Sequence, residues 1–236
     1  TADPRIVLDA RTLPTVSCAE VAELSYFGAR VLHPKTIQPV AQTGIPVRVP
    51  NAFHPERPGT LVCAETPGDL LVKAITAIRD LTIVTVEGRG MQGVPGVAGR
   101  VFSAVGRSGV SVLMISQSSS EQSICFVVRS TDTPAMVDAI EREFEREMLR
   151  RDIDRVASQD EVAIIAAVGA GMRRKPGIAA RVCCALADRG INIVSIAQGS
   201  SEFNLSLVVA QDDVDEGVRA IHQQFGLPNV QAVRSE

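Results

Sequence analysis

The residues with the most specific chemistry come in pairs. Pro95-Gly96-Val97-Ala98 and Pro176-Gly177-Ile178-Ala179 each join a turn-forming Pro-Gly to the start of an apolar helical pattern. A helix that opens on glycine leaves its first backbone N–H groups uncovered, and with the helix dipole behind them they can hold a carboxylate. Gln117 and Gln198 also recur. Their side chains both donate and accept, which suits an ammonium group or a hydroxyl. Together these residue types fit a small zwitterion. Each also has an ordinary structural use, since Pro-Gly is plain turn chemistry and glutamine at a strand end is commonly just exposed.

These pairs belong to one long repeat. From Gly88 the chain reads GRGMQGVPGVAGRVFSAVGRSGVSVLMISQSSSEQSICFVV, and from Gly169 it reads GAGMRRKPGIAARVCCALADRGINIVSIAQGSSEFNLSLVV. Matching residues lie 81 positions apart throughout (176 minus 95), so one structural unit is built twice. In each copy an apolar, β-branched run (81–86, 162–168) leads into a glycine-rich loop. A helix follows, with apolar residues at Val97, Val101 and Val105 or at Ile178, Val182 and Leu186. Gly109 and Gly190 mark its end, and strands at 110–115 and 191–196 turn through Gln-Ser/Gly-Ser-Ser-Glu into strands at 124–128 and 205–209. A second helix carries Met136, Ile140, Phe144 and Met148, or Val214, Val218, Ile221 and Phe225; Thr133 is the N-cap of the first, and Pro134 its first residue. With a short final strand each copy is βαββαβ, the split-βαβ arrangement, and the fold class is α+β.

Composition bounds the function. A net charge of -3 and a pI near 5.7 give no basic stripe for nucleic acid, and 3% aromatic content leaves few rings on which to stack bases. No apolar run approaches the roughly 20 residues that cross a bilayer, and no signal peptide opens the chain. Cys18, Cys63, Cys125, Cys183 and Cys184 lack zinc-ligand spacing and are odd in number, so they are expected to be small core residues in a reducing compartment. Lys73, Arg79 and the run EREFEREMLRRD read as solvated surface.

Residues 1–62 do not share the repeat. They contain a capping box, Ser17 with Glu20 three residues on, and Gly28 to end that helix. A second helix at 31–42, interrupted at His33-Pro34, precedes one strand at 45–49 and a proline-rich loop. No partner strands are evident, and without an initial methionine the stretch reads as the end of a larger α/β domain.

TADPRIV, ELSYFGARVLHPKTI, IPVRV and PGTLV resemble the end of the catalytic domain of aspartate kinases, an amino-acid kinase fold. The two copies resemble the paired ferredoxin-like ACT domains that follow it. VLMISQSSSEQSI and INIVSIAQGSSE are most similar to the threonine-regulated type often fused to homoserine dehydrogenase. The resemblance implies a parent enzyme that phosphorylates L-aspartate to 4-phospho-L-aspartate with MgATP, the entry step to lysine, threonine and methionine. It puts Asp3, Arg5 and Arg30 on the nucleotide side, with Arg30 where the family has lysine. These 236 residues contain no phosphate loop, so they are expected to be inactive as a kinase, to hold no catalytic residue and to need no cofactor or metal of their own.

Family effectors lie between the first-helix loop of one ACT unit and the second strand of a neighbour. That implies one site at Met91, Gln92, Gly96, Val97, Ala98, Ser111, Val112, Leu113, Gln117, Ser118 and Ser119. The other takes Met172, Arg173, Gly177, Ile178, Ala179, Asn192, Ile193, Val194, Gln198, Ser200 and Ser201. The effector is an end-product amino acid, threonine or lysine, and inhibition would pass through the linker at 59–69. The expected domains are 1–62 (kinase remnant), 80–157 (first ACT) and 63–79 with 158–236 (second ACT), in a cytoplasmic homodimer joined by its ACT units. Two other readings stand beside this one, a separate non-catalytic amino-acid-binding subunit and a bifunctional aspartokinase/homoserine dehydrogenase.

Overall fold

The computed structural model describes residues 1–29, 32, 34–65, 70–118 and 120–227, and the chain divides into two units, Thr1–Ile78 with Ile164–Glu236 and Arg79–Ala163. The N-terminal stretch carries more sheet than its sequence reveals. Its elements are β1 (Thr15–Ser17), α1 (Cys18–Tyr26), α2 (Pro34–Thr43), β2 (Val47–Val49) and β3 (Thr60–Cys63). Strand β3 is central, parallel to β1 and antiparallel to β2. Strands of three and four residues carry too little alternation to stand out, which is why β2 had no evident partners. The capping box forms at the start of α1, with Glu20 N–H donating to Ser17 Oγ at 3.2 Å and Ser17 N–H to Glu20 Oε2 at 2.8 Å. Gly28, at φ 93°, follows the helix end in the left-handed region.

β4 (Ala74–Glu87) starts in the first of these units and ends in the second. In Arg79–Ala163 it is followed by α3 (Val97–Arg107), β5 (Met114–Gln117), β6 (Ser123–Arg129), α4 (Thr133–Glu143), α5 (Glu145–Arg150) and the first part of β7 (Arg155–Val168). The sheet order there is β5-β6-β4-β7, with Val84 opposite Phe126 and Met114 opposite Val127. Strand β5 starts later than the apolar run predicts, because Val110 and Val112 are spent on the core before the ladder begins. A 3-10 turn at Ser130–Asp132 moves the start of α4 up by one residue, so Asp132, not Thr133, stands at the N-cap.

The remaining unit closes with the end of β7, then α6 (Ile178–Ala187), β8 (Ser195–Ala197), β9 (Asn204–Ala210) and α7 (Val214–Gln224), in sheet order β4-β7-β9-β8. Both copies use one helix clamp. The Arg100 guanidinium lies 4.4 Å from the centre of the Phe144 ring and donates to the Glu143 carbonyl at 2.8 Å. Arg181 lies 4.2 Å from the Phe225 ring and donates to the Gln224 carbonyl at 2.8 Å. The short closing strand expected after α7 falls at 228–236, outside the described residues. Residues 1–62 and the second copy fall together in the unit Thr1–Ile78 with Ile164–Glu236.

One buried carboxylate fastens that stretch to the second copy. Glu20 Oε2 accepts from Lys73 Nζ at 2.9 Å and from Ser17, and Oε1 accepts from the Ala170 N–H at 2.8 Å. Lys73 is therefore not solvated surface. It is 4% exposed, between Val72 and Ala74 in a segment buried on both sides, and its charge persists there because Glu20 answers it. The cysteines also differ from expectation. Cys18, Cys63, Cys125 and Cys183 are only half-buried and Cys184 is exposed, since apolar residues of larger volume fill the cores.

Two expected outcomes follow. Phe144 is fully buried and Phe225 half-buried, so Phe144→Ala should cost about 3–5 kcal/mol in urea denaturation and Phe225→Ala distinctly less. Burial raises the Glu20 pKa, but the Ala170, Ser17 and Lys73 hydrogen bonds together outweigh it and hold the carboxyl below its ordinary value. A depressed carboxylate stabilises the fold above its unfolded pKa of about 4.3, and loses that contribution as pH falls through the folded pKa. Wild type minus Glu20→Met/Lys73→Met should thus shrink in unfolding free energy on acidification below about pH 4.3.

Candidate functional site

In Arg79–Ala163 the loop after β4 and the hairpin between β5 and β6 enclose a cleft of about 470 Å³. Its lining is Met91, Gly93, Val94, Pro95, Gly96, Val97, Ala98, Gln117, Glu121 and Ile124. Met91 and Ile124, at 3% and 1% exposure, give the cleft an apolar component. Gly96 is the N-cap of α3 at φ 91°, and no side chain caps this helix. Glycine is required by that backbone angle alone, since a Cβ there would meet nothing within 4 Å. The positive end of α3 thus borders the cleft. On the hairpin side, Glu121 accepts from the Gly93 N–H at 3.1 Å, and Gln117 is the exposed last residue of β5.

Five of the anticipated residues meet here: Met91, Gly96, Val97, Ala98 and Gln117. Gln92 instead accepts from the Gln122 amide at 3.3 Å. Ser111, Val112 and Leu113 precede β5 and do not line the cleft: Ser111 is exposed, Val112 packs against the core, and the Leu113 N–H donates to the Val127 carbonyl at 2.8 Å. Ser118 turns to Ser120 and Ser123 in the hairpin, and Ser119 lies outside the described residues. Glu121 went unassigned on sequence. Its signal was its recurrence as Glu202, which accepts from the Arg174 N–H at 2.5 Å, the same bond 81 residues on.

In the second copy Gly177 repeats the left-handed N-cap at φ 88°, with Ile178 buried and Ala179 in the first turn of α6. Met172 is buried, and the Arg173 guanidinium lies 5.7 Å from the Phe203 ring centre. Asn192, Gln198, Ser200 and Ser201 are exposed, while Ile193 and Val194 are half-buried. Arg173-Arg174-Lys175 stand where the first copy has Gln92-Gly93-Val94, so this loop is strongly cationic.

Of the nucleotide-side residues, Asp3 and Arg5 meet in the turn that follows Thr1. Arg5 donates to both Asp3 carboxylate oxygens, at 2.6 Å in the shortest contact, and its side chain is 81% exposed. Arg30 lies outside the described residues. Among the described residues no group of three or more His, Cys, Asp or Glu could hold a metal ion. Nor is any described helix long and apolar enough to cross a membrane.

A βαββα order used twice, each with a glycine-opened helix facing a polar hairpin, defines the class of small regulatory domains that the sequence resembled. The ACT domain family model matches residues 84–144 and 165–225, and the amino acid kinase family model matches residues 1–51. The chain belongs to the ACT domain family, its two copies preceded by an amino acid kinase segment in the order that aspartate kinases carry them. It is 45% identical over 224 residues to the bifunctional aspartokinase/homoserine dehydrogenase of Haemophilus influenzae, covering 94% of this chain and 28% of that one. The aspartate kinase of Clostridium acetobutylicum superposes with TM-score 0.86 at 31% identity, over 95% of this chain and 51% of that one. Aspartokinase III of E. coli in complex with lysine and aspartate gives TM-score 0.78 at 30% identity, over 95% and 49%. The chain thus spans about a quarter to a half of the length of these relatives.

Because Gly96 is held at positive φ in open space, Gly96→Ala should destabilise the Arg79–Ala163 unit by about 1–2 kcal/mol without a clash, as read by chemical denaturation.

Proposed function

We propose that this chain is the amino-acid-sensing region of an aspartate kinase and that its effector is threonine, with lysine the competing ligand. The observation that carries the reading is the cleft of the first copy. The positive start of α3 suits a carboxylate, Glu121 suits an ammonium group, and Gln117 suits a hydroxyl, above apolar Met91 and Ile124. Gly177, Ile178, Ala179 and Gln198 repeat part of this set, which supports a second site at the cationic loop. Aspartokinase III in complex with lysine is a relative for which an amino-acid ligand is named, and it supports the same ligand class.

In the parent enzyme the reaction is ATP plus L-aspartate to 4-phospho-L-aspartate and ADP, with magnesium, and effector binding lowers it. The 236 residues alone carry no kinase activity on this reading, and Asp3, Arg5 and Arg30 serve a nucleotide site completed by other segments. The domains are 1–62, 80–157 and 63–79 with 158–236. Homodimerisation through the ACT units is supported by β5 and β8, which end their sheets and expose Ile115 and Ile196 by 46% and 45%. The parent works in the cytoplasm. The 45% identity to a bifunctional aspartokinase/homoserine dehydrogenase favours a fused parent over a separate regulatory subunit.

Thermal unfolding with threonine or lysine, each alone and with methionine as control, tests the reading. Threonine at 100 times its dissociation constant should add about 2.7 kcal/mol, several degrees in Tm; Gln117→Ala should reduce the shift and Gln117→Ala/Gln198→Ala abolish it, both keeping the ligand-free Tm. A shift with lysine alone would transfer the assignment to lysine. No shift with either would remove the sensing function from this chain.

A further inference from the structure

The two glycine-rich loops are built alike but fastened differently. In the first copy the Arg89 N–H donates to Asp154 Oδ2 at 3.3 Å, so an acid beside β7 in the same unit holds the loop's opening turn. Eighty-one residues on, the Ala170 N–H donates to Glu20 Oε1 at 2.8 Å. Lys73 stands in the place of Asp154, since its N–H donates to the Val168 carbonyl as the Asp154 N–H does to the Glu87 carbonyl, and an ammonium group cannot accept from an amide. The acid is supplied instead by α1, in the segment matched by the amino acid kinase family, and the same carboxylate closes that helix's capping box and neutralises Lys73. The loop lies close against its neighbour, since a Cβ on Gly171 would overlap the Leu70 carbonyl, as one on Gly90 would overlap Asp152 in the first copy.

We propose that Glu20 is a coupling residue. It joins the position of the second copy's glycine-rich loop to that of α1, so that a ligand ordering residues 169–177 also orders the first turn of the kinase-family helix. The ligand half of this inference rests on the amino-acid reading above; the mechanical half does not. The first copy, fastened by Asp154, has no such line to α1 through its own loop bond. The two copies therefore differ in role: occupancy of the second is reported to the kinase segment through one carboxylate.

Amide hydrogen exchange on the 236-residue chain tests this. Glu20→Met/Lys73→Met replaces the pair with apolar chains of similar length and leaves no lone buried charge. Without ligand, it should speed exchange at residues 170–172 by tenfold or more, about the factor a charge-assisted hydrogen bond carries, and leave residues 89–91 at the wild-type rate. Asp154→Ala, which removes the acceptor of the Arg89 N–H, should instead speed exchange at Arg89 and leave residues 170–172 at the wild-type rate. Unchanged exchange at 170–172 would overturn the proposal, as would equal loosening of both loops. If the double variant does not fold, Ala170→Pro removes the donor at a turn start that suits proline, and should speed exchange at Glu20 and Val21; no change there is equally fatal. Millimolar threonine or lysine should then protect both 170–177 and 18–21 in wild type, but only 170–177 in the double variant. Protection of the loop alone in wild type refutes the coupling. Protection nowhere refutes the amino-acid reading, and the ligand-free comparison still decides the coupling.

Discussion

Two backbone hydrogen bonds govern what each unit can build: Lys73 N–H to the Val168 carbonyl and Asp154 N–H to the Glu87 carbonyl, both at 2.8 Å. They are one contact made twice, where the strand that enters a sheet meets the end of its neighbour. A strand register settles which residues face the core, so these bonds fix far more than their own energy. They also explain the glycines that follow. A Cβ on Gly88 would stand 2.5 Å from the Asp152 carbonyl oxygen, and one on Gly169 would stand 2.6 Å from the Leu71 carbonyl oxygen. Only glycine lets each loop leave its strand against the incoming chain, and that departure sets the start of α3 or α6 opposite the hairpin.

From this shared frame the copies diverge through side chains alone. Glu121 and Glu202 hold the same backbone donor, at Gly93 and Arg174, so the hairpin is tied to the loop in both. The neighbouring loop residues carry no charge in the first copy and three positive charges in the second. Fastening differs as well, by Asp154 in one and by Glu20 in the other. Duplication thus supplies two backbones of equal capability, and a handful of substitutions gives them different electrostatics and different neighbours.

The repeat made the fold legible. Gapless 81-residue self-similarity locates helices, hairpins and left-handed glycines together, because a pattern seen twice is unlikely to arise from composition. Met91, Gly96, Val97, Ala98 and Gln117 were legible for the same reason. Short strands were not, since β1 and β3 depend on each other rather than on local alternation. Lys73 was misread because burial of a lysine is decided by a partner 53 positions away in sequence, and no local rule announces it. Glu121 was visible as a repeated letter, but its role depends on an αL backbone at φ 57° that turns its carboxylate toward the loop.

The cleft's charge pattern bears on ligand choice within the proposed reading. Glu121 is the one carboxylate in its lining, and it already accepts from the Gly93 N–H. A carboxylate has lone pairs for a second donor, so one ammonium group can join that bond without breaking it. Lysine brings two ammonium groups, and the second would need another anion or would remain in solvent. Threonine brings one ammonium and one hydroxyl, which match Glu121 and Gln117, and a methyl group suited to apolar Met91 and Ile124. Burying a polar group without a partner costs about 1–3 kcal/mol in proteins, enough to separate the two ligands by tenfold or more. The cationic loop of the second copy is poorer still for a doubly ammonium-bearing ligand, so on both surfaces the electrostatic argument runs in the same direction.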